Sequence, residues 1–228
     1  MMNKKNEYKK FKVEIEDRGI EYLIHFTPTI NLYSILEQKE ILCRAKLESL
    51  DIEKYDVMDF VKFTDDNRFD DTNYINLSIS GPNDFLFSKF REKTLEDPTI
   101  SWCILKIDSK YIYAKDTLFS VTNAASNAAK KQYGISGDFE KFQAMFQNQI
   151  NIESNNSSRF VIRKQTKDMF TTDPQAEVLV KNSISTDDIL KVCFETQEQL
   201  ANAMAAMSSF DTGNFLVDKD IFSPIRSK

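Results

Sequence analysis

Cysteine, glycine, proline and histidine are all scarce in this chain, and each scarcity excludes something. Cys43, Cys103 and Cys193 are odd in number and far apart. They offer neither a disulfide framework nor the paired spacing of a zinc site, and they point to a reducing compartment, the cytoplasm. With 5 Gly and 5 Pro in 228 residues, collagen-like and low-complexity classes are excluded. His25 is the only histidine. No HxxxH or CxxC accompanies it, so it cannot build a zinc site by itself. No apolar run approaches the ~18 residues of a membrane span. The segment Met1 to Lys12 is polar and lysine-rich with no apolar stretch behind it, which predicts no secretory signal. Neither GxGxxG after a strand nor GxxxxGK[ST] occurs, which argues against Rossmann and Walker-type nucleotide binding.

What is present is enough for a core. The chain is 41% hydrophobic, and its length suits one fairly large domain spanning 1–228. Net charge is -5, so a nucleic-acid partner cannot be argued from bulk charge and needs a local basic patch. Phenylalanine is unusually frequent, at 18, which suggests aromatic packing or base stacking.

Periodicity organises the chain. Glu21 to Thr27 reads as a buried strand, and Pro28 opens a helix that ends near Lys39. Arg44 to Asp71 is a long polar stretch of poor periodicity, the kind of loop that is usually functional. Tyr74 to Ser80 alternates like a strand, Gly81-Pro82-Asn83 is a turn, and Phe85 to Glu92 is helical. Ile100 to Ile107 is a second buried strand. Asn123 to Tyr133 and Asp138 to Asn148 read as helices, and Asn151 to Asp173 as a second polar loop. Ala176 to Val180 and Ile189 to Phe194 are strand-like, and Gln197 to Met207 is a helix. The main domain lies at about 21–194, with a C-terminal helix and tail over 195–228. This mixture lacks the βαβ rhythm of a doubly wound fold and predicts an α+β class with a mixed or antiparallel sheet.

Several residues stand out chemically. Alternation puts Leu23, His25 and Thr27 on one strand face and Tyr22, Ile24 and Phe26 on the other. By pattern alone His25 reads first as a core histidine bonded to backbone. Glu177 is an acid embedded in an apolar strand. It either points to solvent from an edge strand or is a buried, catalytically useful carboxylate, since an unpaired buried charge is costly. Arg68 lies among Asp65, Asp66, Asp70 and Asp71. It either neutralises that loop or clamps a diphosphate, whose geometry a guanidinium matches. Arg159, Arg163, Lys164 and Lys167 form a basic run before Glu177. They are either a solvated loop or a phosphate-tracking patch, with Phe160 or Phe170 as stacking platforms.

The order of these pieces is informative. Leu23-Ile24-His25-Phe26-Thr27 is followed by Asn31-Leu32-x-x-Ile35-Leu36, then Asp66-x-Arg68-Phe69-Asp70. Next come Ile75-Asn76-Leu77-Ser78-Ile79-Ser80 with Pro82-Asn83, then Trp102 to Asp108 and Asn123-Ala124-Ala125-Ser126. Gln175-Ala176-Glu177-Val178-Leu179-Val180 closes the series. Over about Glu21 to Phe194 this resembles the DarT family of DNA ADP-ribosyltransferase toxins.

The resemblance implies an ADP-ribosyltransferase-like split mixed or antiparallel sheet with flanking helices and NAD+ in the cleft. It implies transfer of ADP-ribose to a base in single-stranded DNA with release of nicotinamide, and no metal. It also implies a toxin–antitoxin pair in which a macrodomain antitoxin of the DarG type removes the mark. Glu177 then matches the catalytic glutamate, and Arg68 the arginine that contacts NAD+. His25, Thr27, Asn31 and Ser78 fall on the NAD+ side. Arg159, Arg163, Lys164 and Phe170 fall in the substrate-recognition loop. Some members carry a tyrosine where Ser78 stands here, with Tyr74 nearby on the same strand, so guanine and thymine both stay open as the target base. The rival readings are the same fold modifying RNA or protein, and a non-catalytic nucleic-acid-binding module.

Overall fold

A computed structural model of the chain describes residues 2–50, 71–97, 99–154, 157–164 and 166–223. In chain order the elements are α1 (Tyr8–Arg18), β1 (Tyr22–Pro28), α2 (Ile30–Gln38), β2 (Glu40–Leu42) and α3 (Arg44–Ser49). After these come β3 (Tyr74–Ile79), α4 (Asp84–Lys93), β4 (Trp102–Asp108), β5 (Leu118–Ser120) and α5 (Phe139–Ala144). The C-terminal half adds β6 (Gln149–Ser154), β7 (Ser157–Ile162), β8 (Glu177–Lys181), β9 (Ser183–Ser185), β10 (Ile189–Phe194), α6 (Gln197–Ala206) and β11 (Phe215–Val217).

The main sheet has seven strands in the order β11-β10-β4-β1-β3-β8-β5. Its pairings are antiparallel except β10 with β11, which is parallel. It is an α+β fold whose sheet is built in two parts. β1 pairs β4 along its whole length, from Tyr22↔Asp108 to Pro28↔Trp102. On its other side β1 meets β3 only at Leu23↔Ile79 and Ile24↔Ser78, with Ser80 N–H adding a bond to the Tyr22 carbonyl at 3.2 Å. From His25 onward the two strands form no further rungs, and the sheet is split there.

Alternation decides what each face buries. Leu23, Leu77, Ile79, Leu105, Ile107, Val178, Val192 and Phe194 join the larger core, closed by Phe11 and Ile15 of α1, Leu32 of α2, Phe142 of α5 and Leu200 of α6. Ile24, Ile104 and Cys193 face the other way, against Phe87 and Phe90 of α4 and Ile221 and Phe222 of the tail. The phenylalanines are largely absorbed in these cores. Phe11 lies 5.1–5.7 Å from Phe119, Phe139 and Phe142. Phe87 packs at 4.7 Å from Phe26 and 5.7 Å from Trp102.

The structure revises several sequence expectations. α1 falls in a stretch read only as polar; its lysines cover a narrow apolar stripe, and Gly19 closes it at φ 66°, where a side chain would be strained. Asn151 to Asp173 is not one loop: Ile150, Ile152, Phe160 and Val161 lie in a hairpin, β6 paired with β7. The helix expected over Asn123 to Tyr133 is confined to a π-helix at Ala128–Tyr133. The tail after Met207 belongs to the sheet, through β11. Of the stretch Arg44 to Asp71, residues 51–70, with Arg68, lie outside the described residues.

Candidate active site

Glu177 opens β8. Ala176, Val178 and Val180 turn into the larger core, so alternation sends Glu177 to the opposite face. It is not on an edge strand: β8 pairs with β3 on one side and β5 on the other. The side chain is only 7% exposed. Ser120 of β5 is its cross-strand partner. One step beyond the Leu77↔Val178 pair, Ser78 of β3 stands beside it. Ser78, Glu177 and Ser120 therefore lie abreast on one face, and all three are buried.

A buried carboxylate needs donors. The backbone N–H of Ala124 donates to Glu177 Oε2 at 2.8 Å. That N–H is presented by a short polar turn. Ser120 Oγ donates to the Thr122 carbonyl at 2.6 Å, Asn123 Oδ1 accepts from Ala125 N–H at 2.9 Å, and Ser126 Oγ accepts from Ala129 N–H at 3.1 Å. Asn and Ser compete with helix in this way, which is why the helix starts late. The turn's function as a holder of Glu177 was not readable from the sequence, because its donor is backbone.

His25 lies at the mouth of the split. Its Nδ1 is 3.4 Å from the Asn76 carbonyl on β3. A carbonyl can only accept, so Nδ1 carries the proton and Nε2 is left as an acceptor. The ring bridges the opening where backbone rungs are missing. Burial lowers the imidazole pKa, with the Asn76 bond acting in the opposite sense and more weakly, so the ring is held neutral. Two residues on, Thr27 Oγ1 accepts from Asn31 Nδ2 at 3.1 Å, tying the end of β1 to α2. His25 and Glu177 sit two strands apart, with Ser78 and Asn76 of β3 between them.

The basic run divides. Arg159 and Lys164 are exposed at the surface. Arg163 is not a phosphate-tracking group as its sequence context suggests. Its side chain is 8% exposed, and it donates to the carbonyls of Phe170 at 2.6 Å and Lys167 at 2.9 Å. Phe170 is likewise no stacking platform, because it is 7% exposed and its face is closed to a base. Phe160, 58% exposed on β7, is the open ring of this region. Asp173, four residues before Glu177, is fully buried; sequence reading overlooked it, although Asp-Pro is a turn signal. The cysteines are buried free thiols. Burial pushes Cys103 up to about 12 and Cys193 up to about 11, which makes them inert as nucleophiles.

Residues 24–222 match the family described as ssDNA thymidine ADP-ribosyltransferase, DarT. Among curated proteins none matches. Among solved structures, Thermosipho africanus DarTG in complex with ADP-ribose superposes with a TM-score of 0.61 at 17% identity, covering 89% of this chain and 51% of that one. The present chain thus spans about half of that relative's length. Thermus sp. 2.9 DarT in complex with carba-NAD+ gives a TM-score of 0.56 at 11% identity, over 88% and 97% of the two chains. The same Thermus protein in complex with ADP-ribosylated ssDNA gives 0.55 at 10% identity, over 98% and 100%. At these identities the likeness is one of fold.

Proposed function

Because the chain belongs to the DarT family of ssDNA thymidine ADP-ribosyltransferases, we propose that it transfers ADP-ribose from NAD+ to thymine in single-stranded DNA, with Glu177 as the catalytic acid–base. The observation that carries this reading is the placement of Glu177. It is a buried carboxylate, fixed by the Ala124 N–H and flanked by Ser78, beside a split in the sheet at whose mouth the neutral His25 stands. NAD+ is the donor, and solved relatives are described with NAD+ and carba-NAD+.

The chemistry needs such a group. Breaking the bond between nicotinamide and the ribose C1′ leaves an oxocarbenium-like centre, and nicotinamide departs with the bonding pair as a neutral molecule. A carboxylate stabilises that positive charge. The ring nitrogen of thymine that bears a proton then bonds to C1′, and its proton passes to Glu177. An acid fixed on a strand and shielded from bulk water acts more strongly than one in solution. His25, Thr27 and Asn31 line the NAD+ side, with the His25 Nε2 available to a ribose hydroxyl. Arg68 pairs with the diphosphate, and Ser78 orients the ribose or Glu177. Single-stranded DNA is the preferred acceptor, since acting on it avoids the few kcal/mol cost, roughly, of unstacking a duplex base. Lys164 and Lys167 meet its phosphates, and Phe160 offers a ring to a neighbouring base. The setting is a cytoplasmic toxin whose mark a macrodomain antitoxin of the DarG type removes.

Mass spectrometry of short DNA and RNA oligonucleotides of each base, incubated with the protein and NAD+, tests this. Thymine-containing DNA should gain one ADP-ribose. Glu177→Gln should lower the rate by roughly 10²–10³-fold or more while still binding NAD+. An undiminished rate in that variant removes Glu177 from the chemistry, and modification of RNA alone reassigns the acceptor.

A further inference from the structure

The connection from β7 to β8 leads straight into Glu177, and one buried acid organises it. Asp173 is 0% exposed. Its Oδ1 accepts from Gln175 N–H at 2.9 Å, and its carbonyl accepts from Thr171 Oγ1 at 2.7 Å and from Ala176 N–H at 3.1 Å. The backbone is therefore wound tightly around this residue, four residues before the strand that Glu177 opens.

The second carboxylate oxygen is different. Asp173 Oδ2 is buried and has no hydrogen-bond partner among the described residues. A desolvated anionic oxygen in that state is unfavourable unless a cation compensates it. The cation at hand is Arg159, whose Nη2 lies 3.6 Å away. That distance is within ion-pair reach but beyond a hydrogen bond. The two ends differ in freedom: Asp173 is fixed by its turn, while the Arg159 side chain is 52% exposed and belongs to the β6–β7 hairpin beside the open ring of Phe160. A small movement of the hairpin would convert the contact into a charge-assisted hydrogen bond.

We propose that Arg159 and Asp173 are a positioning pair that sets the β6–β7 hairpin against the turn bearing Glu177, so that a base presented by the hairpin meets the carboxylate in register. Neither residue touches the reacting atoms. The pair acts through geometry, to which transfer to a base on a strand is more sensitive than loss of ADP-ribose to water, because small, abundant water reaches a productive approach without a positioned strand. This inference rests on the assignment of Glu177 above.

The test is a double-mutant cycle with Asp173→Asn and Arg159→Gln, read as the ratio of oligonucleotide modified to nicotinamide released. Asp173→Asn keeps an oxygen for the Gln175 N–H, removes the charge and puts an amide donor in place of Oδ2. Each single variant should lower the ratio roughly 10–100-fold, and the double variant should fall no further. The salt dependence of modification should be the same in Arg159→Gln as in the parent. Multiplying losses in the double variant, or a ratio that does not move, overturns the pair. A shallower salt dependence in Arg159→Gln, which is exposed and does not risk the fold, also overturns it by making Arg159 a phosphate contact. If the parent protein modifies no oligonucleotide while folded, the assignment of Glu177 fails and this inference with it.

Discussion

At the scale of single residues, the site is defined by how few polar groups are admitted to the sheet and how each is held. His25 shows this best. Desolvation lowers the pKa of its half-buried ring, and its hydrogen-bond partner among the described residues is a carbonyl that fixes the proton on Nδ1. A depressed imidazole pKa has a definite consequence. Between that value and the unfolded value of about 6.5, the unfolded chain binds more protons than the folded one. Stability therefore climbs as pH approaches 6.5 from below, and the loss appears as pH falls through that window. Thermal melts from pH 5 to 8, at intervals of about half a unit, should show this acid-side loss. His25→Gln cannot titrate and should melt with a flatter acid side. Parallel curves for the two proteins would mean that the ring is solvated and not held as described. Across pH 6.5 to 8 NAD+ affinity should stay level, since the imidazole does not change charge there.

At the scale of elements, the β6–β7 hairpin and the connection that follows it mix two kinds of cation that look alike in sequence. Arg163 uses its guanidinium to hold the carbonyls of Lys167 and Phe170, and lies 5.8 Å above the Phe146 ring. Lys164, beside it, is exposed. Arg163→Gln should then destabilise the fold by about 0.5–1.5 kcal/mol, the loss of its hydrogen bonds to the part-buried Phe170 carbonyl and the Lys167 carbonyl, and lower the melting temperature. Lys164→Gln should leave melting unchanged and weaken oligonucleotide modification. Chemical denaturation and initial rates on the two variants separate the effects, and the reverse pattern would exchange the roles. The same contrast explains what could be read from sequence. The strands around His25, Ser78 and Glu177 were legible because two-residue alternation exposes them, and so was the mixed sheet. The inward turn of Arg163 and of Phe170 was not, because a short polar connection has no period and the decisive partners are backbone atoms distant in sequence. The hold of Ala124 on Glu177 was hidden for the same reason, since any residue type could supply that N–H. Tyr74 stands opposite Lys181, so on β3 it is Ser78, not Tyr74, that lies beside Glu177.

At the scale of the whole molecule, one covalent tail and one charge balance set the terms. The tail brings β11 against β10 and buries Ile221 and Phe222 beside Ile24, Phe87 and Trp102, so the half of the sheet that carries His25 is closed by the end of the chain. The chain is net acidic, at -5, so a polyanion must be held by local basic groups rather than by overall charge. With Arg163 turned inward and Arg159 paired with Asp173 as proposed, the cations of the basic run that remain for phosphate are Lys164 and Lys167. Two phosphate contacts on a single strand give a log–log salt slope of about -1.4, or roughly a sevenfold loss of strand affinity between 50 and 200 mM salt. Release of nicotinamide without an oligonucleotide involves no strand phosphates and should change far less over the same range. Measuring both rates across a salt series decides the matter. Equal sensitivity would mean that the strand is not held by these lysines, whereas a slope several times steeper would require phosphate contacts beyond these two lysines.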